Sequence, residues 1–352
     1  MPIERPDLSG VPLEVLAYIQ SLETELESVR GRQRMREPGE PASPVLDELP
    51  AGPAEPPTTM NVITVTASGL IKRTPRHLYD RQRRSGMGVF DLDTPEQDPP
   101  ALLTVSDAAQ SLIVVTTLGR AFPLATGQLA EAPVRARGEA LRRWIPALQP
   151  EERVAMMAPD TGAGYLTVVS KRGQVRRWRY NVFGRSLQGG TLLYDIKDGG
   201  APGAYCWSNG DADLFIVTAK GLAIRFAESQ VPVRGCLGLR VDPDDAVVGV
   251  ASVRDTTGVF MLANDGKGTI RSMAGFAQNK APGAGGKQAM KAPLVAAFGV
   301  TEGDDIFAIS RLSKIIRFAA AEVPPKEGVV QGVICMTLRS DEVTAGVAAG
   351  MS

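Results

Sequence analysis

The feature that most limits how this chain can fold is an internal repeat beginning near residue 61. A strand-like run, a small residue and two variable residues lead to a turn position six times. The copies are VITVTASG to Gly69, LIVVTTLG to Gly119, LTVVSKRG to Gly173, LFIVTAKG to Gly221, VFMLANDG to Gly266 and IFAISRLS to Ser313. Successive spacings are 50, 54, 48, 45 and 47 residues. Glycine suits the turn because a tight hairpin needs a positive φ, which glycine adopts without steric cost. A second strand follows each turn: LIKRT, RAFPL, QVRRW, LAIRF, GTIRS and KIIRF. Next come glycine-centred segments (SGMGVF, ARGEAL, QGGTLL, RGCLGL, AGGKQAM, QGVICM) and then small-apolar strands (ALLTV, RVAMMA, GAYCW, VVGVA, LVAAF, VTAGVAA). About four strands per unit is the content of a propeller blade. No such sheet hides both faces alone, so the units must stack about an axis. The expected fold is all-β, a six-bladed β-propeller over residues 61–350.

The first 60 residues differ in kind. Val15, Ile19, Leu22, Leu26 and Val29 recur at a 4-3-4-3 spacing, an a/d seam, after Ser9 and Pro12 in capping positions. This predicts a short α-helix in an N-terminal arm, residues 1–36. Two uses are open for it: docking on its own domain, or a short coiled-coil homodimer. The stretch 37–60, rich in Pro, Ala and Glu, lacks the apolar area to offset its ordering entropy and reads as a disordered acidic linker.

Composition excludes several chemistries. The single histidine, His77, would have to carry any triad or His-ligated metal alone. Cys206, Cys236 and Cys335 form no CxxC pair. No GxxxxGK[ST] phosphate loop occurs, and GAGGKQ at 283–288 reads as an ordinary loop. No apolar run reaches membrane-span length, and the N-terminus lacks a signal-peptide pattern. The expectation is a cytoplasmic protein with no catalytic residues, metal or cofactor. The WD40 signature is absent, and 5% aromatics are too few for the stacking layers of Kelch blades.

The first unit carries a more specific pattern. GLIKRTPRHLYDRQRRSGMGVF, from Gly69 to Phe90, resembles the start of the C-terminal domain of bacterial DNA gyrase A. That family opens with Gly-x-x-Lys-Arg-Thr and continues to a box, Gln-Arg-Arg-Gly-Gly-Arg-Gly. Here the box reads Gln82-Arg83-Arg84-Ser85-Gly86-Met87-Gly88, matching at five of seven positions. GLAIRFAESQVPVRGCLGLR, from Gly221 to Arg240, is similar to a later repeat of the same family. The resemblance covers about 61–350 and extends to the C-terminal tail of the corresponding topoisomerase IV polypeptide. It implies a β-pinwheel in which neighbouring blades exchange strands and DNA wraps a basic rim. Ser85 stands where the family has glycine and Met87 where it has arginine, which removes one phosphate contact. The family's breakage-reunion region, with its catalytic tyrosine, has no counterpart in these residues, so a free-standing, non-cleaving form is expected.

Charge patterning supports nucleic acid as a partner. The chain is neutral, with 39 basic and 39 acidic residues. Residues 1–60 hold 5 basic against 11 acidic, a net of −6, leaving 34 against 28, or +6, in residues 61–352. The candidate DNA-binding residues are Lys72, Arg73, Arg76, the box Gln82, Arg83, Arg84, Ser85, Gly86, Met87 and Gly88, then Arg120, Arg135, Arg137, Arg172, Arg176, Arg177, Arg179, Arg185, Arg234, Lys267, Arg271, Lys280, Lys314 and Arg317. A discontinuous belt of these would hold phosphates with little sequence preference. Alternative uses stand beside this one. The box could latch the first blade to the last. Arg73, Arg177, Arg225 and Arg317, four residues after their turns, could pair with acids inside the sheets. Arg271 joins that set if the fifth copy has one extra residue. Trp178, Tyr180 and Phe183 could be inter-blade core rather than base-stacking platforms.

The expected function is sequence-tolerant binding of double-stranded DNA that bends or wraps it and modulates topology or a type IIA topoisomerase. The alternative is a protein-interaction scaffold docking through the N-terminal helix. An acidic arm could also screen the basic belt.

Overall fold

The computed structural model describes residues 55–350. The expected helical arm over 1–36 and the linker as far as residue 54 lie outside these. The repeat appears as six antiparallel hairpins: Met60–Thr66 with Leu70–Pro75, Ser111–Thr116 with Arg120–Ala125, Tyr165–Ser170 with Gln174–Arg179, Asp213–Thr218 with Leu222–Ala227, Gly258–Ala263 with Lys267–Ser272, and Asp305–Ser310 with Lys314–Ala319. The turns need a left-handed residue. Gly221 takes φ +77°, and a Cβ there would lie 2.0 Å from the Met290 carbonyl oxygen. Ser313 adopts φ +61° without being glycine, a strain of about 1–2 kcal/mol.

A third strand adds to the first strand of each hairpin: Pro100–Asp107, Val154–Pro159, Pro202–Ser208, Val247–Val253, Leu294–Val300 and Val343–Ala349. Segments of all six line one apolar cavity of about 380 Å³, through Ala101–Thr104, Ala155–Met157, Gly203–Trp207, Val248–Ser252, Val295–Gly299 and Thr344–Val347. Small side chains dominate here because the strands converge.

The fourth strand is borrowed. Glu139–Ala140, Thr191–Leu192, Cys236–Leu237, Lys287–Gln288 and Val333–Ile334 each follow the hairpin of their own unit and pair with the second strand of the hairpin one unit earlier. Val89–Phe90, from the first unit, pairs with Lys314–Ala319 in the last. The strands form four four-stranded sheets and one nine-stranded sheet, in which the fourth and fifth sets touch through the parallel pair Gly249 and Ala297.

The core lies between consecutive units. Phe215 and Val217 pack with Met261 and Phe276; Phe260 and Leu262 pack with Ile306 and Phe318. The same pattern joins last to first, where Val62 and Tyr79 meet Phe307 and Ile315. Each fully buried side chain of this size stabilises by roughly 1.5–3 kcal/mol. Among the described residues there is no α-helix, and no helix is long and apolar enough to cross a membrane.

Candidate nucleic-acid interface

The glycine-rich box lies where first and last units meet, and its ends are fixed by a buried charge network. Lys72 Nζ donates to the Asp91 carboxylate at 2.5 Å and to the Asp91 carbonyl at 2.8 Å. The Tyr79 hydroxyl donates to the same carboxylate at 2.6 Å. Burial pulls the Lys72 pKa below its usual range despite Asp91, and burial with Asp91 pushes Tyr79 well above its own. Tyr79 and Asp91 bracket the loop, so the network holds both its ends against the first hairpin.

Between them the loop hydrogen-bonds to the far end of the chain. Gln82 N–H donates to the Arg317 carbonyl at 2.7 Å, and Ser85 N–H to the Cys335 carbonyl at 2.8 Å. Thr337 N–H donates to the Gly86 carbonyl at 2.9 Å, and Arg84 N–H to the Glu322 carboxylate at 2.8 Å. Gly88 sits at φ +72°, where a Cβ would be 2.6 Å from the Ile315 carbonyl oxygen. Ser85 keeps the left-handed angle at φ +70°. The backbone shape of the box therefore survives the loss of glycine, while Met87 leaves an exposed thioether in place of a cation. Of the two uses open to this loop, the latch is visible in full. The side chains of Arg83 and Met87 are exposed, and those of Gln82 and Arg84 are half-buried.

Many of the candidate basic residues are engaged inside the fold. Arg317, 4% exposed, meets Asp305 at 2.6 Å, Glu55 at 2.5 Å and the Tyr79 carbonyl at 3.1 Å. Arg76 is buried against Glu55 and donates to the Gly350 carbonyl at 2.8 Å. Arg225 holds Asp213 and Asp255 and donates to the carbonyls of Met273 and Phe276 in the next unit. Arg73 faces Asn61 and Glu131; Arg177 faces Glu228 and lies over the Tyr165 ring. These groups pair with acids, the structural use open to them in the sequence, and several of their contacts reach a neighbouring unit; Lys72 is likewise engaged, with Asp91 of its own unit. Arg271 is buried too, but the fifth copy has no extra residue. Val217 pairs with Ala223 and Leu262 with Gly268, so the two turns have equal length. Arg271 stands one register further along its strand, and so on the opposite face.

Glu55, read in the sequence as linker, is part of this seam. Burial raises its pKa, but the hydrogen bonds and charges of Arg76 and Arg317 together outweigh that and hold it below the usual value.

The remaining candidates lie outward. Arg83, Arg135, Arg137, Arg172, Arg179, Arg185, Arg234 and Lys280 are exposed. Arg120, Arg176, Lys267 and Lys314 are half-buried; Arg120 pairs with Glu152, Lys267 with Asp265, and Arg176 lies over Tyr194. Each segment leading to a borrowed strand carries an exposed cation: Arg83, Arg135, Arg185, Arg234, Lys280 and Lys326. Arg240 and Lys326 are absent from the sequence-derived set, although both lie on or beside the repeated glycine-centred segments that could have revealed them. Trp178 and Tyr180 pack against the cluster that holds Phe183, Tyr194 and Leu166, so these aromatics serve the core. Among the described residues no His/Cys/Asp/Glu group could hold a metal ion. Burial raises the Cys206 thiol and, against Arg84, lifts Cys335 to about 12, leaving both inert.

Known proteins share this architecture. The family described as DNA gyrase C-terminal domain, beta-propeller, matches residues 61–98, 212–254 and 304–349. DNA gyrase A of Mycobacterium tuberculosis is 29% identical over 305 residues, covering 82% of this chain and 36% of the relative. The chain thus spans about a third of the length of the curated relatives it matches. A DNA gyrase A C-terminal domain structure superposes with a TM-score of 0.71 at 19% identity, over 82% of this chain and 99% of that one. The C-terminal domain of DNA topoisomerase IV gives 0.59 at 15% identity, over 83% and 94%.

Proposed function

Taking the repeat region as a relative of the DNA gyrase C-terminal β-propeller, we propose that this chain binds duplex DNA along the outer rim of a closed six-bladed pinwheel. The observation that carries the reading is the exposed cation on every borrowed-strand segment. Segments that play the same part in each unit would present these charges around one perimeter. Guanidinium and ammonium groups spaced in this way meet phosphate oxygens and ignore base edges, so binding is sequence-tolerant. Following the rim bends the duplex, at a cost of several kcal/mol that repeated phosphate contacts offset.

In this reading the chain is not an enzyme. It acts in the cytoplasm on the nucleoid, bending or wrapping DNA for a type IIA topoisomerase or on its own. A homodimer through the N-terminal helix would double the rim. The test is topological: nicked plasmid is religated with the full chain bound, and retained writhe is measured. Salt-sensitive binding with a shift in linking number supports wrapping; binding without a shift reduces the role to attachment.

A second reading has its own observation. Leu78, Met87, Val89, Phe90 and Ile334 are 37–50% exposed in or beside the box. An apolar surface of this kind favours a protein partner. A partner retained on the full chain but lost with Phe90→Asp, in the absence of DNA binding, would favour the scaffold.

A further inference from the structure

Free positive charge is unevenly distributed around the rim. Segments 229–241 and 274–292 contain Arg234, Arg240, Lys280, Lys287 and Lys291 and no acidic residue. All five side chains are exposed, and among the described residues none makes an ion pair or a side-chain hydrogen bond. The two segments run side by side. Gly283 N–H donates to the Gly238 carbonyl at 2.8 Å and Arg240 N–H to the Ala284 carbonyl at 2.9 Å. Gln230 Nε2 donates to the Lys280 carbonyl at 2.8 Å. Lys287 begins the borrowed strand that pairs with Leu222 and Ala223, so its backbone is anchored while its side chain is not. The next acids in sequence are Asp242 and Asp244, and Asp244 is held by Lys220 at 2.5 Å. Lys291 lines a surface pocket with Asp244 and Asp245, which sets it apart from the other four.

The seam offers the reverse. Arg76 and Arg317 share Glu55, Arg81 meets Asp305 at 2.8 Å, and the Arg84 guanidinium donates to the Ile334 carbonyl at 3.2 Å; Arg83 stands exposed beside them. A cation already paired within the protein must give up that partner to meet phosphate. An unpaired one keeps a mobile counterion atmosphere and gains when it exchanges this for the DNA backbone. Position 87, where the box pattern would place a cation, is methionine.

We infer that the principal phosphate grip of this chain is the sector of Arg234, Arg240, Lys280 and Lys287, with the glycine-rich box acting as the clasp of the ring; this rests on the duplex-DNA reading above. Duplex would seat first on this sector and extend from there along the rim. Both flanking segments are pinned by backbone hydrogen bonds, so the four side chains are displayed from a fixed base with little ordering of main chain on binding.

The experiment measures binding of the full chain to linear duplex by fluorescence anisotropy over a series of salt concentrations. The variant Arg234→Gln/Arg240→Gln/Lys280→Gln/Lys287→Gln is expected to lower the slope of log affinity against log salt by about 3–4, close to 0.9 per phosphate contact, and to weaken binding roughly 100-fold or more at low salt. Arg83→Gln/Arg135→Gln at the seam should lower the slope by about 2 at most. Arg234→Lys/Arg240→Lys keeps the charge and should bind nearly as the parent does. Thermal melting should be unchanged in all three, since among the described residues no side chain involved makes an ion pair or a hydrogen bond. A quadruple variant that keeps the parental slope, while the seam variant loses it, would overturn the assignment and leave the DNA reading standing. A parent chain with no salt-dependent duplex binding would overturn both.

Discussion

The seam between first and last units and the Arg234–Lys287 sector are both rich in basic residues, yet they use them in opposite ways. At the seam, the guanidinium groups of Arg76 and Arg317 are 2–4% exposed and tied to carboxylates and carbonyls across the junction, while the outlying Arg83 and Arg135 are left in solvent beside them. On the other sector four cations are exposed, and among the described residues none of them makes an ion pair. The difference shows that a cluster of arginines in sequence is not by itself a phosphate site. What decides is whether the fold has already supplied each charge with a counter-charge.

The most severe way to break this contrast is Arg317→Met. Its loss leaves Asp305 buried without its principal partner, and removing one member of such a pair costs about 3–5 kcal/mol. The melting temperature should fall by on the order of 10 °C. If melting were unchanged, the seam would not be the clasp described. Gly88→Ala comes next, because it forces both a left-handed alanine and an approach to the Ile315 carbonyl; about 2–3 kcal/mol is expected in chemical denaturation.

Glu55→Gln should cost about 2 kcal/mol near neutral pH, the range for hydrogen bonds to charged groups. Its pH dependence has a definite sign. The folded pKa is depressed below the ordinary 4.5, so the stabilisation is complete above 4.5 and lost as pH falls through the folded value. Parent and variant melting curves should therefore converge in acid; a gap that stayed constant with pH would assign the loss to packing instead. Ser85→Gly is the mildest change. It relieves a left-handed serine within a loop whose hydrogen bonds are backbone-made, and should stabilise by about 1 kcal/mol or less without altering DNA affinity.

Much of the architecture was legible in sequence because hairpins leave a strong local signature. The turn glycines fell at the expected positions, and Ser313 occupied the sixth turn despite its side chain. The small-apolar strands proved to line the axial cavity, which their lack of bulk had not by itself revealed. Strand exchange was implied by the family resemblance, but which residues form the borrowed strands could not be read: two residues are too few for a period, and their partners lie in another unit. The site was less legible than the fold. Arg177 and Arg179 stood together in the candidate set; only burial and the position of Glu228 separate the strut from the exposed cation. Arg271 shows the same limit, since one register along a strand reverses its face and only the pairing reveals this.

The last pairing, Val89–Phe90 on Lys314–Ala319, has a consequence in time. During synthesis the first partner emerges from the ribosome long before the second, so the ring cannot close until nearly the whole repeat region has been made. Until then, strand Leu70–Pro75 can acquire its outer neighbour as soon as Glu139–Ala140 arrives, while Val89–Phe90 waits as an open apolar edge. Closure of such a long loop is slow. A chain stalled before residue 314 would be a stack of nearly complete sheets with one sticky end, prone to accepting the edge of a neighbouring chain in place of its own.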